Sequence, residues 1–118
     1  FCPSNPFVSL APILSVPGMK EMIESFSGKS IGISPIVEGE AIKGPAAKML
    51  KELGHDVSSV GVARQYVGLC NTFIIDEKDM ALKEEIESLG MDVFVTQTIM
   101  ETDQDKKQLA EYILEISA

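Results

Sequence analysis

The sequence predicts an α/β protein built on a mostly parallel sheet with helices on both faces. Three observations lead there. Three short apolar runs, Lys29-Ser30-Ile31-Gly32-Ile33, Thr72-Phe73-Ile74-Ile75 and Asp92-Val93-Phe94-Val95, each stop at a polar residue, as buried strands do. The segments between them repeat their apolar residues at helical spacing. The connections are short, and alternating strands and helices imply a parallel sheet covered on both sides. The expected arrangement is three-layered and Rossmann-like.

Each element has its own signal. Pro3, Pro6 and Pro12 bar a helix through residues 1–16, which read as a loop with short apolar pieces at Phe7–Leu10 and Ile13–Val16. Pro17-Gly18 opens a helix whose stripe Met19, Met22, Ile23, Phe26 should face the core, with Gly28 as its stop. The first strand ends at Ser34-Pro35, and a polar loop covers Glu38 to Lys43. Gly44-Pro45 starts a second helix, with Pro45 near its first position, an inner face of Ala46, Leu50 and Leu53, and Gly54 as its end. Ser58 is the expected cap of a third helix over 59–69, with Val60, Ala63 and Val67 repeating. Leu82, Ile86 and Leu89 mark a fourth helix, closed by Gly90. Asp103 is placed as the cap of the last one, in which Leu109, Ile113 and Ile116 face inward.

The 118 residues, 45% hydrophobic, suffice for one domain, 1–118, and not for two. The net charge of −8 lies wholly in residues 76–118, with twelve acids and four bases, while residues 1–75 balance six against six. That distribution excludes a nucleic-acid module, which needs a basic patch, and a basic membrane-surface helix. No apolar run reaches membrane-spanning length. Cys2 and Cys70 form no C-x-x-C pair and read as two thiols in a reducing, cytoplasmic setting, with buried packing preferred to reactivity. One His and two Cys leave few ligands for structural zinc. The opening at Phe1, running at once into Cys2-Pro3-Ser4-Asn5-Pro6, reads as a strand end inside a longer polypeptide.

In open parallel α/β sheets, ligands bind outside the carboxyl ends of the strands. Ser34, Asp76 and Thr96 stand there, joined by Ser4 and Asn5 if Phe1-Cys2 ends a strand. The segment Ser34 to Ala46 links a strand end to a helix start through Pro35, Gly39, Lys43 and Gly44. Free amides at a helix start and a neighbouring lysine suit phosphate. On local chemistry alone the plainer reading is preferred, in which Gly and Pro serve turn geometry. The segment is neither a Walker sequence nor a G-x-G-x-x-G. Arg64, the sole arginine, is either a phosphate fork or a solvated helix residue. Tyr66 is placed in the core rather than stacked on a ligand ring. Asp76 holds a metal, meets a ligand hydroxyl or caps the next turn. His55 complements the dipole at a helix end. Glu84, Glu85 and Glu87 form a solvated helix face. No nucleophile–His–acid set is visible.

Taken in order, CPSNP, SLAPILSVPGMKE, ISPIVEGEAIKGPAAKML, GVARQYVGL, FIIDEKD and VFVTQTIM resemble the carboxyl-terminal half of the 2-phospho-L-lactate transferases. The matches span nearly the whole chain, and SPIVEGEAIKGPA is the most specific. The resemblance implies an enzyme of coenzyme F-420 biosynthesis, with methanogenic archaea as its source class. Such enzymes transfer a phospholactyl group from lactyl-2-diphospho-5′-guanosine to the deazaflavin Fo and release GMP. It implies magnesium as cofactor, but no metal ligand or catalytic residue is assigned. It gives Ser4, Asn5, Ser34, Pro35, Gly39, Lys43, Gly44, Arg64 and Asp76 a general ligand-side role. The family's amino-terminal half, with its Gly-rich phosphate loop and acidic residues, is expected as the partner of this chain, which would be inactive alone. Self-association is expected as well, because a parallel sheet lacking strands exposes apolar surface. Two other readings remain: a related nucleotide-binding, gluconeogenesis-linked protein, and a stand-alone flavodoxin-like or receiver-like module.

Overall fold

Strands form where the apolar runs lie. In the computed structural model, which describes residues 1–118, β1 (Ile31–Ile33), β4 (Thr72–Asp76) and β5 (Asp92–Thr96) make a parallel sheet in the order β1-β4-β5. Ile33 pairs with Ile74, and Ile74 with Phe94, so the three strands end along one edge. All five residues of β4 are buried, as a central strand covered on both faces requires.

The pleat divides the core. Phe73, Ile75 and Val93 face one side, where they join Leu50, Val62, Tyr66 and Ile86. That layer is built from α3 (Ala46–Glu52), α4 (Ser59–Tyr66) and α5 (Lys83–Glu87). Ile33 and Ile74 face the other side, against Leu109 of α6 (Asp103–Ser117). Helices thus cover both faces. Gly61 is required in α4, because a Cβ there would collide with the Asp56 carbonyl oxygen.

Several local expectations fail for identifiable reasons. A helix does run through the proline-rich start. A π-helical turn, Pro6–Leu10, leads into α1 (Ala11–Leu14). Asn5 caps it, accepting from Phe7 N at 2.8 Å and Val8 N at 3.3 Å. Pro6 opens the turn and Pro12 is the second residue of α1, places where a proline is tolerated. The expected loop from Glu38 to Lys43 holds the turn and second strand of a hairpin, β2 (Ile36–Val37) with β3 (Glu40–Ala41). Its turn residues Glu38 (φ 52°) and Gly39 (φ 77°) are both left-handed, the geometry of a two-residue type I′ turn.

The stripe on α2 (Met19–Glu24) meets the core only in part: half-buried Ile23 packs against it, whereas Met22 and Phe26 are 68% and 60% exposed. That helix ends at Glu24, ahead of Gly28. Leu53 and Val67 also lie on the surface. Pro45 is the cap of α3 rather than its first residue, α4 stops at Tyr66 rather than 69, and Thr102 rather than Asp103 caps α6. Thr102 wins because its hydroxyl reaches Asp105 N at 3.2 Å while Asp105 accepts back from Thr102 N at 2.9 Å, a closed capping box. Those bonds, with a third from Glu101 N, hold the Asp105 carboxyl below the usual carboxylate range.

Candidate functional site

The shared strand edge is where a site can form. A cleft of about 260 Å³ opens there, lined by Pro3, Ser4, Asn5, Pro35, Ile42, Lys43, Thr98, Met100 and Lys106. Three segments build it. The residues before the first helical turn supply Ser4 and Asn5. The chain on either side of the β2–β3 hairpin supplies Pro35, Ile42 and Lys43. The passage from β5 into α6 supplies Thr98, Met100 and Lys106. Its charged lining residues are two lysines, and no acid lines it. A concave site with two cations and a few hydroxyl and amide groups suits an anion such as a phosphate ester.

Four of the residues singled out in the sequence, Ser4, Asn5, Pro35 and Lys43, meet in this cleft. The others stand elsewhere. Ser34 is fully buried behind it: its hydroxyl oxygen accepts from Ile36 N at 3.1 Å and lies 3.2 Å from Ser59 Oγ. The Ser59 hydroxyl donates to Asp79 Oδ2 at 2.7 Å, and Asp79 Oδ1 accepts from Glu38 N at 3.0 Å. This buried chain ties the hairpin turn to the 3₁₀ helix Glu77–Leu82. Gly39 serves that turn. Gly44, next to Lys43, takes a left-handed φ of 73°, which reverses the chain into α3. Arg64 lies on α4, paired with Asp56 at 2.6 Å and Glu85 at 3.3 Å, and does not line the cleft.

Asp76 is 3% exposed and fully engaged. Its Oδ1 caps the 3₁₀ helix by accepting from Lys78 N at 3.1 Å, and its Oδ2 accepts from Thr98 N and Thr98 Oγ1. Of the three roles open to Asp76, the cap is the one its contacts show. Asp79 is likewise committed. With both carboxylates occupied, no acid in the cleft, and no gathering of three His, Cys, Asp or Glu side chains anywhere, the residues of this chain do not fit a magnesium cage.

Tyr66 and Cys70 belong to the core. Burial pushes the tyrosine hydroxyl up to about 12 and the thiol up to about 11. Cys70 is therefore an inert packing residue, whereas Cys2 is exposed. His55 stacks on Phe7, with ring centres 5.8 Å apart.

Thr98, Met100 and Lys106 were not legible as site residues. Lys106 follows the third strand as Lys43 follows the first, which is a usable signal. It is masked by its neighbours Asp103 and Asp105.

The fold and its edge cleft define a Rossmann-like α/β protein with a cationic site. A family profile described as 2-phospho-L-lactate transferase CofD matches residues 1–115, and the chain belongs to that family. It is 38% identical over 112 residues to the 2-phospho-L-lactate transferase of Methanosarcina barkeri, covering 95% of this chain and 36% of that protein. To the enzyme of the same name from Methanocaldococcus jannaschii it is 41% identical over 113 residues, 96% of this chain and 35% of the other. The phosphoenolpyruvate transferase of Streptomyces griseus is 39% identical over 92 residues, 77% of this chain and 29% of that one. The chain spans little more than a third of the length of the two archaeal relatives. No helix is long and apolar enough to cross a membrane.

Proposed function

We propose that this chain forms part of an enzyme that transfers a phospholactyl group from lactyl-2-diphospho-5′-guanosine to the deazaflavin Fo. A terminal ribityl hydroxyl of Fo attacks the phosphorus bearing the lactyl group. The new P–O bond forms as the bond to the GMP phosphate breaks. GMP leaves with the bridging oxygen, and the hydroxyl proton is released. Phosphoryl transfer of this kind rests on positioning and charge stabilisation and needs no covalent nucleophile. The observation that carries the reading is the acid-free cleft at the strand edge, with Ser4, Asn5 and Lys43 around it, in a member of this family.

Lys43 is exposed, and the eight ion pairs of the chain all join other residues, so its ammonium is available to a donor phosphate. Beside it, α3 starts without any side-chain cap. Magnesium dependence belongs to the proposal, with no ligand assigned among residues 1–118 and no step drawn through the ion. So do a cytoplasmic setting, which two free thiols support, and self-association, which exposed Ile13, Val16, Met22 and Phe26 support.

The test is product formation from Fo and the guanosine donor by the intact protein that carries this chain. Lys43→Ala should raise KM for the donor about tenfold, the size of one charge-assisted contact. Unchanged kinetics would overturn the assignment. The likeness to a phosphoenolpyruvate transferase supports a second donor, in which a phosphoenolpyruvyl group replaces the phospholactyl group. Competition between the two donors at equal concentration decides between them.

A further inference from the structure

We infer that Lys106 is a second binding residue for the phosphate ester held by this cleft, acting from the α6 side as Lys43 acts from the hairpin side. The inference rests on the anion-binding reading above. Four observations carry it. Lys106 lines the cleft together with Thr98 and Met100, on elements far in sequence from Lys43. The backbone that leads to it is fixed, because Asp76 at the end of the central strand holds Thr98 by two hydrogen bonds of 2.8 and 3.1 Å. Its one ion-pair partner is Asp103, 2.9 Å away and 98% exposed, an i,i+3 surface pair that water and salt screen and an incoming dianion can displace. Finally, the start of α6 is closed by the Thr102–Asp105 box, and Asp105 already takes the Glu101 and Thr102 amides. An anion on this wall is therefore met by the ammonium and not by the helix end.

The ligand is a phosphate monoester or diphosphate. Two sources share that chemistry: the nucleoside diphosphate, and the phosphate of the transferred group. GDP and 2-phospho-L-lactate, titrated separately by calorimetry at low salt into the intact protein that carries this chain, tell them apart. Lys106→Ala should weaken at least one of the two about tenfold, the loss of one charge-assisted hydrogen bond. Lys106→Arg should stay within about threefold of the parent, since charge is kept at a site open to solvent. Asp103→Asn should tighten binding, because it frees Lys106 and removes a nearby negative charge. The side chain is 62% exposed, so melting temperature should not move. If Lys106→Ala binds both ligands as the parent does while Lys43→Ala weakens them, this inference falls and the proposed function stands. If neither lysine matters, or the intact protein binds neither ligand, both fall.

Discussion

Asp76 and Thr98 are joined twice: one carboxylate oxygen of Asp76 accepts the Thr98 amide at 2.8 Å and the Thr98 hydroxyl at 3.1 Å. Asp76 ends the central strand, and Thr98 lies two residues beyond β5. The pair sets the direction in which the chain leaves the sheet towards α6. Thr98→Val keeps the shape and removes one donor, so it should cost about 1 kcal/mol. Asp76→Ala strands two backbone amides as well, and should cost about 2–3 kcal/mol. Urea unfolding measures both. Equal stability of the parent and Asp76→Ala would show that the brace carries nothing.

Asp79 does for the hairpin what Asp76 does for the α6 approach. It holds the Glu38 amide and the Ser59 hydroxyl, and it is 6% exposed. Asp79→Ala takes the acceptor from the Glu38 amide and leaves the Ser59 hydroxyl only the Ile36 carbonyl, at a cost of about 1 kcal/mol. Lys43 follows this hairpin closely, so affinity for GDP should fall too, although Asp79 does not line the cleft. Hydrogen exchange at Glu38 and Gly39 is the local readout; if it stays as slow as in the parent, the clamp is not what holds the turn.

Arg64 is committed to Asp56 and Glu85 on the outer side of α4. Arg64→Ala is expected to change GDP affinity less than about twofold, and exposed pairs of this kind contribute about 0–1 kcal/mol to stability. A tenfold loss of affinity would mean that Arg64 leaves its partners and turns into the cleft when ligand binds.

The two cysteines should separate cleanly. Native protein is expected to take one equivalent of an alkylating reagent, at exposed Cys2, and a second only after unfolding. Alkaline pH offers an independent check. The folded thiol of Cys70 titrates near 11 rather than 9.0, so the unfolded chain loses its proton first. The contribution is whole below 9.0 and is lost as pH rises through about 11. Tyr66 acts in the same direction, from 10.0 to about 12. Cys70→Ala should remove the lower part of this alkaline decline and keep the upper part. An unaltered profile would place the decline elsewhere.

Strands β4 and β5 were plain in the sequence because Phe73-Ile74-Ile75 and Val93-Phe94-Val95 are unbroken apolar runs bounded by polar residues. Helix ends marked by Gly54 and Gly90 were plain for a similar reason, since each carries a left-handed φ. The hairpin was hidden because its strands are two residues long and give no period to read. Periodicity found α2, but spacing alone does not encode that Ile23 meets the core while Met22 and Phe26 stay exposed. Half of the cleft was equally visible: Ser4, Asn5, Pro35 and Lys43 lie in a recognisable motif order. The other wall depends on a contact between Asp76 and Thr98 across 22 positions, which no local pattern encodes.

Asn5 stands at the junction of fold and cleft. Its Oδ1 is taken by the Phe7 and Val8 amides, and its Nδ2 points to Met49 Sδ at 3.4 Å. The amide plane is thus locked by the same bonds that begin the first helix. The side chain loses its rotational freedom during folding, so a ligand arriving beside it has none left to freeze. If the proposed donor meets Asn5, the entropy of fixing that side chain has been spent in folding, before any substrate enters.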